Sequence, residues 1–238
     1  MPTLIEMRKF NQLPQRYSDP WYDKFYGIVQ GYLFPGARVL DVGCGGTPMI
    51  PKKDRPSEIT YVGLDLSIEE LNKAPSGSYD EVVQADVVTQ LQSMEDQFDL
   101  ILSWMVLEHV KPLRNALENI RSYLRPGGVL VTQLSGSFSG FGLINKLVPQ
   151  KFGIWAMRVL LARAPETVFP AYYDHCYYSA LIRIMSPWSE CTVTPLYRGA
   201  GYFDFSPRLQ RLYLTYEDWV IRAKYLNLAT HYLVVARK

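Results

Sequence analysis

Three aspartates and two histidines stand where chemistry could be done, and most follow a stretch that reads as a buried strand. Arg38 to Pro48 runs R-V-L-D-V-G-C-G-G-T-P. A β-branched apolar run meets Gly43, Gly45 and Gly46 at once, where a backbone must turn tightly and let a ligand approach. Asp41 sits inside that run, and a carboxylate there is costly unless it has a partner. A plain strand with a flexible loop is therefore the weaker reading. Asp65 closes the next apolar run 22 residues after Gly43, about where an acidic residue takes the ribose hydroxyls in nucleotide-binding βαβ units. The third glycine of a dinucleotide fingerprint is missing. Its position is Pro48, and Pro48, Pro51 and Pro56 suit no phosphate-cradling helix, so a pyrophosphate is not the expected ligand.

Proton transfer points to His109, just beyond a fourth apolar run, because an imidazole changes charge near neutral pH. A helix-entry histidine bonded to a backbone carbonyl explains it equally well, and both readings stay open. His175 lies in F-P-A-Y-Y-D-H-C-Y-Y, where Tyr172, Tyr173 and Asp174 suit a pocket wall that is apolar in body and polar at its tips. An aromatic loop packed on its own surroundings is the competing account. Cys176 beside His175 has no further ligands at metal spacing, so no metal site is expected.

The elements that must position these residues follow from periodicity. Trp21 to Phe34 has helical spacing of Trp21, Phe25, Ile28, Val29, Tyr32 and Leu33, and stops before Pro35-Gly36. Strands are expected at Arg38–Val42, Ile59–Leu64, Glu81–Gln84, Phe98–Ser103, Val129–Gln133 and Tyr232–Arg237. Ser67 to Glu70 reads as a capped start of a short helix. Pro112 opens a helix whose Leu113, Leu117, Ile120 and Leu124 recur on one face. Ser179 to Met185 reads as another helix. Tyr213 to Leu228 reads as a helix ahead of the last strand, covering the sheet or turning Trp219 and Tyr225 to a membrane or a second subunit.

V-L-D-V-G-C-G-G resembles the first motif of the class I S-adenosylmethionine (SAM) methyltransferases. F-D-L-I-L-S-W-M-V-L-E-H-V through L-R-P-G-G-V-L-V is similar to small-molecule members related to ubiquinone and menaquinone C-methyltransferases. The resemblance covers Arg38 to Gln133. It implies an α/β fold, a Rossmann-like seven-stranded sheet with helices on both faces, to which the composition after the fifth strand adds a helical lid. It also implies cofactor contacts at Asp41, Gly43, Cys44, Gly45, Asp65, Leu66, Asp86, Val87, Ser103 and Trp104. The glycines would pass the amino-acid end of SAM, and Asp86 and Val87 would meet its adenine. An N-terminal helix over the pocket makes Tyr17, Tyr22 and Tyr26 candidate contacts, beside Tyr172 and Tyr173 of the tyrosine-rich wall. The proline-rich Thr47 to Thr60 departs from the pattern, so the first helix should be short or irregular.

Size and charge bound the rest. With 238 residues, 48% hydrophobic, one domain with a substantial core is expected. We divide it into an N-terminal helical cap (1–36), a SAM-binding core (37–135), a lid or substrate insertion (136–190) and closing strands with a helix (191–238). The lid is expected to hold an amphipathic helical pair over Leu143 to Ala164, whose basic residues would also suit an anionic membrane. A formal net charge of +2 from 25 basic and 23 acidic residues is too balanced for a protein living on nucleic-acid phosphates. Cys44, Cys176 and Cys191 suit free thiols, and the polar start shows no signal peptide, so a cytoplasmic protein is expected. The leading function is methyl transfer from SAM to oxygen or carbon of a small or lipid-like acceptor, in a monomer or homodimer. A tRNA methyltransferase and a SAM-binding partner without catalysis remain alternatives. A nicotinamide enzyme is disfavoured by the missing third glycine.

Overall fold

The computed structural model describes residues 13–18, 21–140, 143 and 170–238. Seven strands form one sheet: β1 Arg38–Val42, β2 Thr60–Asp65, β3 Glu81–Gln84, β4 Phe98–Trp104, β5 Leu124–Ser135, β6 Glu190–Leu196 and β7 His231–Arg237. Their spatial order is β3-β2-β1-β4-β5-β7-β6. The β1–β2, β1–β4, β2–β3 and β4–β5 pairs are parallel, and β7 runs antiparallel between β5 and β6. Chain order reverses between β1 and β4. In a sheet of this kind, ligands enter at that point, beyond the carboxyl ends of the strands.

Both faces are covered, as central parallel strands require. Helix α1 (Trp21–Gln30) lies on one face, where Phe25 and Val29 are fully buried with Val39, Leu100, Leu102 and Val131. Burying each such side chain contributes about 1.5–3 kcal/mol. On the other face, α3 (Leu113–Tyr123) and α4 (Tyr178–Ile184) bury Leu113, Leu117, Ile120, Leu181 and Ile184 against Leu40, Ile101 and Leu130. The proline-rich Thr47 to Thr60 forms a single 3-10 turn, Lys52–Asp54, the irregular first helix that its prolines demand. Short α2 (Ile68–Leu71) begins as expected, with the Ser67 hydroxyl accepting the Glu70 amide at 3.2 Å. Helix α5 (Pro207–Arg222) starts six residues before the expected Tyr213, with Pro207 at its first turn.

Several boundaries differ from periodicity. Helix α1 stops at Gln30, not Phe34, because Gly31 follows and Tyr32 and Leu33 pack as a turn. Leu124 opens β5 instead of ending α3: its partner is Phe98, and β5 wins its backbone. Of the 136–190 stretch, α4 is a core helix with Ala180, Leu181 and Ile184 buried, so its last part is no separate lid. The amphipathic pair expected over Leu143 to Ala164 lies outside the described residues, Leu143 excepted. Among the described residues, no helix is long and apolar enough to cross a membrane.

Candidate active site

The glycine turn and Asp65 are held together directly. Gly43 and Gly45 take φ of +70° and +48°, a region most side chains avoid. A Cβ on Gly43 would meet the Val106 side chain at 2.4 Å, so this glycine also lets the segment after β4 reach the loop. At Gly45, a Cβ would meet nothing closer than 3.9 Å, which leaves an open face beside Asp65. The Asp65 carboxylate accepts the Gly45 amide at 2.9 Å with Oδ2 and the Ser67 amide at 2.9 Å with Oδ1. Tyr79 steadies the same loop, donating to the carbonyls of Cys44 (3.1 Å) and Gly45 (3.2 Å). Leu66 beyond Asp65 is 66% exposed, an apolar side chain left over the carboxyl edge.

Asp41 does have the partner that its burial demands, and that partner is protein. Its Oδ2 accepts the Met49 amide at 2.8 Å and the Tyr61 hydroxyl at 2.7 Å. Burial pushes its carboxyl up to about 7, with the two hydrogen bonds opposing. Asp41 thus faces the α1 side and positions the loop rather than touching the open face. Arg55 completes this layer, stacked 3.7 Å over the Tyr61 ring and donating to the Ile50 carbonyl at 3.0 Å. The Cys44 thiol is buried beside Gly63, and burial pushes its pKa up to about 12, so it fills space rather than reacting.

At the next strand ends, Asp86 is exposed and accepts the Val88 amide at 3.0 Å, while Val87 is buried with its carbonyl held by Asn119 at 2.9 Å. Ser103 is fully buried, and among the described residues its hydroxyl has no partner, nor does Thr132 Oγ1 on the paired residue of β5. Trp104 packs against α1, edge-on to Phe25 (4.8 Å) and Tyr22 (5.7 Å), because its β4 position faces that side. Tyr22 donates to the Met49 carbonyl and Tyr26 to Asp54 at 3.0 Å, so α1 does border the loop after the glycines. Tyr17 does not. Its hydroxyl goes to buried Glu217 of α5, which Arg16 also meets at 3.3 Å, and this ties the N-terminal segment to a different part of the molecule.

The histidines lie beyond the ends of β4 and β5. Residues 170–177 are stitched across the ends of β4 and β5. His109 Nδ1 meets the Pro170 carbonyl at 3.1 Å, the Tyr173 amide donates to the Glu108 carbonyl at 3.0 Å, and Ser137 donates to the Cys176 carbonyl. Asp174 bridges two partners, accepting the Leu113 amide at 2.9 Å at the start of α3 and holding His175 Nδ1 at 2.8 Å. Against a carboxylate oxygen Nδ1 is the donor, and among the described residues Nε2 has no partner. Tyr173 and His175 take φ of +52° and +56°, and Met105 after β4 takes +57°, strained positions grouped at this edge. Tyr172 is 55% exposed.

Two residues that sequence reasoning passed over matter here. Glu108 is buried, and its Oε1 accepts the Ser135 hydroxyl at 2.8 Å while Oε2 has no partner among the described residues; burial raises its pKa. It stood in the quoted L-E-H-V, beside the histidine that drew attention. Val106 had no signal of its own, since only the fold brings it to Gly43.

Comparison with known proteins decides the family. A methyltransferase-domain family matches residues 13–181. The chain belongs to that family. Ubiquinone biosynthesis O-methyltransferase of Azoarcus sp. (strain BH72) is 29% identical over 161 residues, 57% of this chain and 65% of the relative. The enzyme of the same name from Xanthomonas campestris pv. campestris (strain B100) is 36% identical over 111 residues, 43% of this chain and 45% of the relative. The matched stretches thus span about half to two thirds of these relatives' own length. Haemonchus contortus phosphoethanolamine N-methyltransferase 2, solved with phosphomonomethylethanolamine and S-adenosylhomocysteine, overlays with a TM-score of 0.56 at 14% identity, covering 92% of this chain and 52% of that one. At that identity the overlay speaks for the fold: this is the Rossmann-like sheet of class I methyltransferases.

Proposed function

We propose that this methyltransferase-family chain moves a methyl group from SAM to a hydroxyl of a small or lipid-like acceptor. The observation that carries the reading is the Asp65–Gly45 contact at the carboxyl ends of β1 and β2, next to the switch point, which sets a carboxylate beside an open glycine turn. The residues fit the donor. Asp65 has used one lone pair on each oxygen and keeps the others for two ribose hydroxyls. The open face at Gly45 admits the amino-acid end, and the adenine is assigned to Asp86, Val87 and Leu66. Oxygen is preferred to carbon because the two bacterial relatives are named O-methyltransferases.

When bound, SAM supplies a sulfonium-activated methyl for in-line displacement. The chain's own part is to hold the acceptor at near-attack distance in a desolvated pocket, and to take its proton. Tyr22 lies on the α1 side of that pocket, and Tyr172 and Tyr173 on the 170–177 side. Asp174 orients His175 so that Nε2 takes the hydroxyl proton, and His109 supports the wall through Pro170 or shares that role.

Asp65→Ala should weaken SAM and S-adenosylhomocysteine binding about ten- to hundred-fold, since hydrogen bonds to an ionised carboxylate contribute about 1.5–3 kcal/mol. Calorimetry on the variant is the test, paired with a labelled-SAM transfer screen over phenolic and lipid-linked acceptors. Unchanged affinity would remove Asp65 from the site, and a wild type that prefers NAD would sink the reading altogether.

A further inference from the structure

Among the described residues, helix α5 leaves one apolar flank uncovered. Successive residues turn by about 100° around a helix, which sets Tyr213, Glu217 and Val220 inward, and these three are buried. Leu209, Leu212, Tyr216 and Trp219 fall on the adjoining flank, and Leu209 is 44%, Leu212 68% and Trp219 53% exposed. The rings continue past the helix end. Tyr216 lies 6.2 Å from Trp219, and Trp219 lies 5.1 Å from Tyr225, itself 48% exposed. Trp219, Lys224, Tyr225 and Leu226 line an open depression of about 630 Å3 there.

The outward side of the same helix is basic. Arg208, Arg211 and Arg222 are exposed, followed by exposed Lys224. Asp218, the carboxylate among them, is taken by Arg16 at 2.9 Å. Glu217 is buried in its own network, accepting the Gly199 amide at 2.6 Å. The carboxylates of this helix are thus engaged elsewhere, while its three arginines and Lys224 just past its end are exposed.

We propose that this flank of α5 docks on an anionic lipid surface. Leu209, Leu212 and Trp219 enter the headgroup boundary, and the four cations meet lipid phosphates. Apolar, aromatic and basic stripes side by side on one helix are the composition of an interfacial helix. Trp and Tyr rings are at home at headgroup depth, and Arg stems lie along apolar surface while their heads reach charge. Charge also favours lipid over a second copy of this chain, since a self-complementary contact of this patch would gather the cations of both copies into one interface. The surface adjoins the active edge. A Cβ on Gly140, just past the end of β5, would lie 3.1 Å from the Tyr213 ring and 3.2 Å from that of Tyr216. A membrane-borne acceptor would therefore arrive beside the carboxyl ends of the strands. The docking stands apart from methyl transfer, and its test needs no turnover.

The full-length protein is floated with phosphatidylcholine vesicles, with and without phosphatidylglycerol, at low and high salt. Flotation with the anionic vesicles alone, reduced by salt, is the expected result. Arg208→Gln/Arg211→Gln/Arg222→Gln should lower partitioning at low salt by on the order of a hundredfold, at roughly tenfold or less for each cation. Leu209→Ser/Leu212→Ser should lower it further at high salt, with the thermal midpoint kept because both side chains are exposed. Ile182→Ser, at a 43% exposed position on α4, is the control expected to float like wild type. Equal flotation of the triple arginine variant, or none by wild type, overturns the proposal. A dimer that Leu209→Ser/Leu212→Ser dissociates, without vesicle binding, would give the face to a second copy instead.

Discussion

Replacing Asp41 by asparagine and by alanine separates its charge from its hydrogen bonds. The carboxylate is 2% exposed and gives Oδ2 to the Met49 amide and the Tyr61 hydroxyl. Burial raises its pKa from 3.8 to about 7. The folded chain then holds this proton more tightly than the unfolded chain. Stability from this group is fully present below about pH 4, is lost as pH rises to about 7, and is flat above that. A rise of that size corresponds to on the order of 4 kcal/mol. Asp41→Asn accepts the same two donors without a charge, so its stability relative to wild type should grow by about that amount from pH 4 to pH 8. Asp41→Ala leaves a buried amide and a buried hydroxyl unpaired, at about 1–3 kcal/mol each. It should be destabilised even at pH 4, where the wild-type carboxyl is largely neutral. Urea unfolding followed by tryptophan fluorescence across that range is the assay. His231, pushed down to about 3 by burial, contributes stability that is lost as pH falls, and it cancels between the three proteins. Parallel curves for wild type and Asp41→Asn would refute a buried, titrating Asp41. Equal stability of the alanine and asparagine variants at pH 4 would show that the loop bonds contribute nothing.

Gly43→Ala should lower the thermal midpoint and abolish SAM binding, because the new Cβ meets Val106 at 2.4 Å on a backbone at φ +70°. Adding Val106→Ala should recover part of the midpoint but not the backbone strain, about 1–2 kcal/mol; no recovery would mean that the contact is not what excludes a side chain. His175→Gln and Asp174→Asn should each lower turnover about a hundredfold or more while SAM affinity in calorimetry stays near wild type. A pH–rate profile that keeps its ascending limb in His175→Gln would move the base to His109, and His109→Gln would then show the larger loss.

Local chemistry made the first half of the site readable. Arg38 to Gly46 declares a strand and a tight turn by residue type alone, and Asp65 declares itself by ending the next strand at a fixed distance. Strand ends and glycine turns are set by neighbours in sequence, so Asp41, Gly43, Gly45 and Asp65 could be placed without the fold. The sequence also showed that Asp41 needed a partner, but only pairing of β1 with β2 could make that partner Tyr61 and turn the carboxylate away from the open face. Tertiary structure likewise decided the grouping beyond the ends of β4 and β5. Glu108, Val106, Asp174 and His175 are up to 69 residues apart in number, and the Leu113 amide, the Pro170 carbonyl and Ser137 join them through contacts that no periodicity records. The helix boundaries at Gln30 and Tyr123 were settled the same way: Leu124 suits a helix face and a strand equally, and its pairing with Phe98 chose the strand. Hydrophobic pattern says that a residue is buried; only the completed sheet says against what.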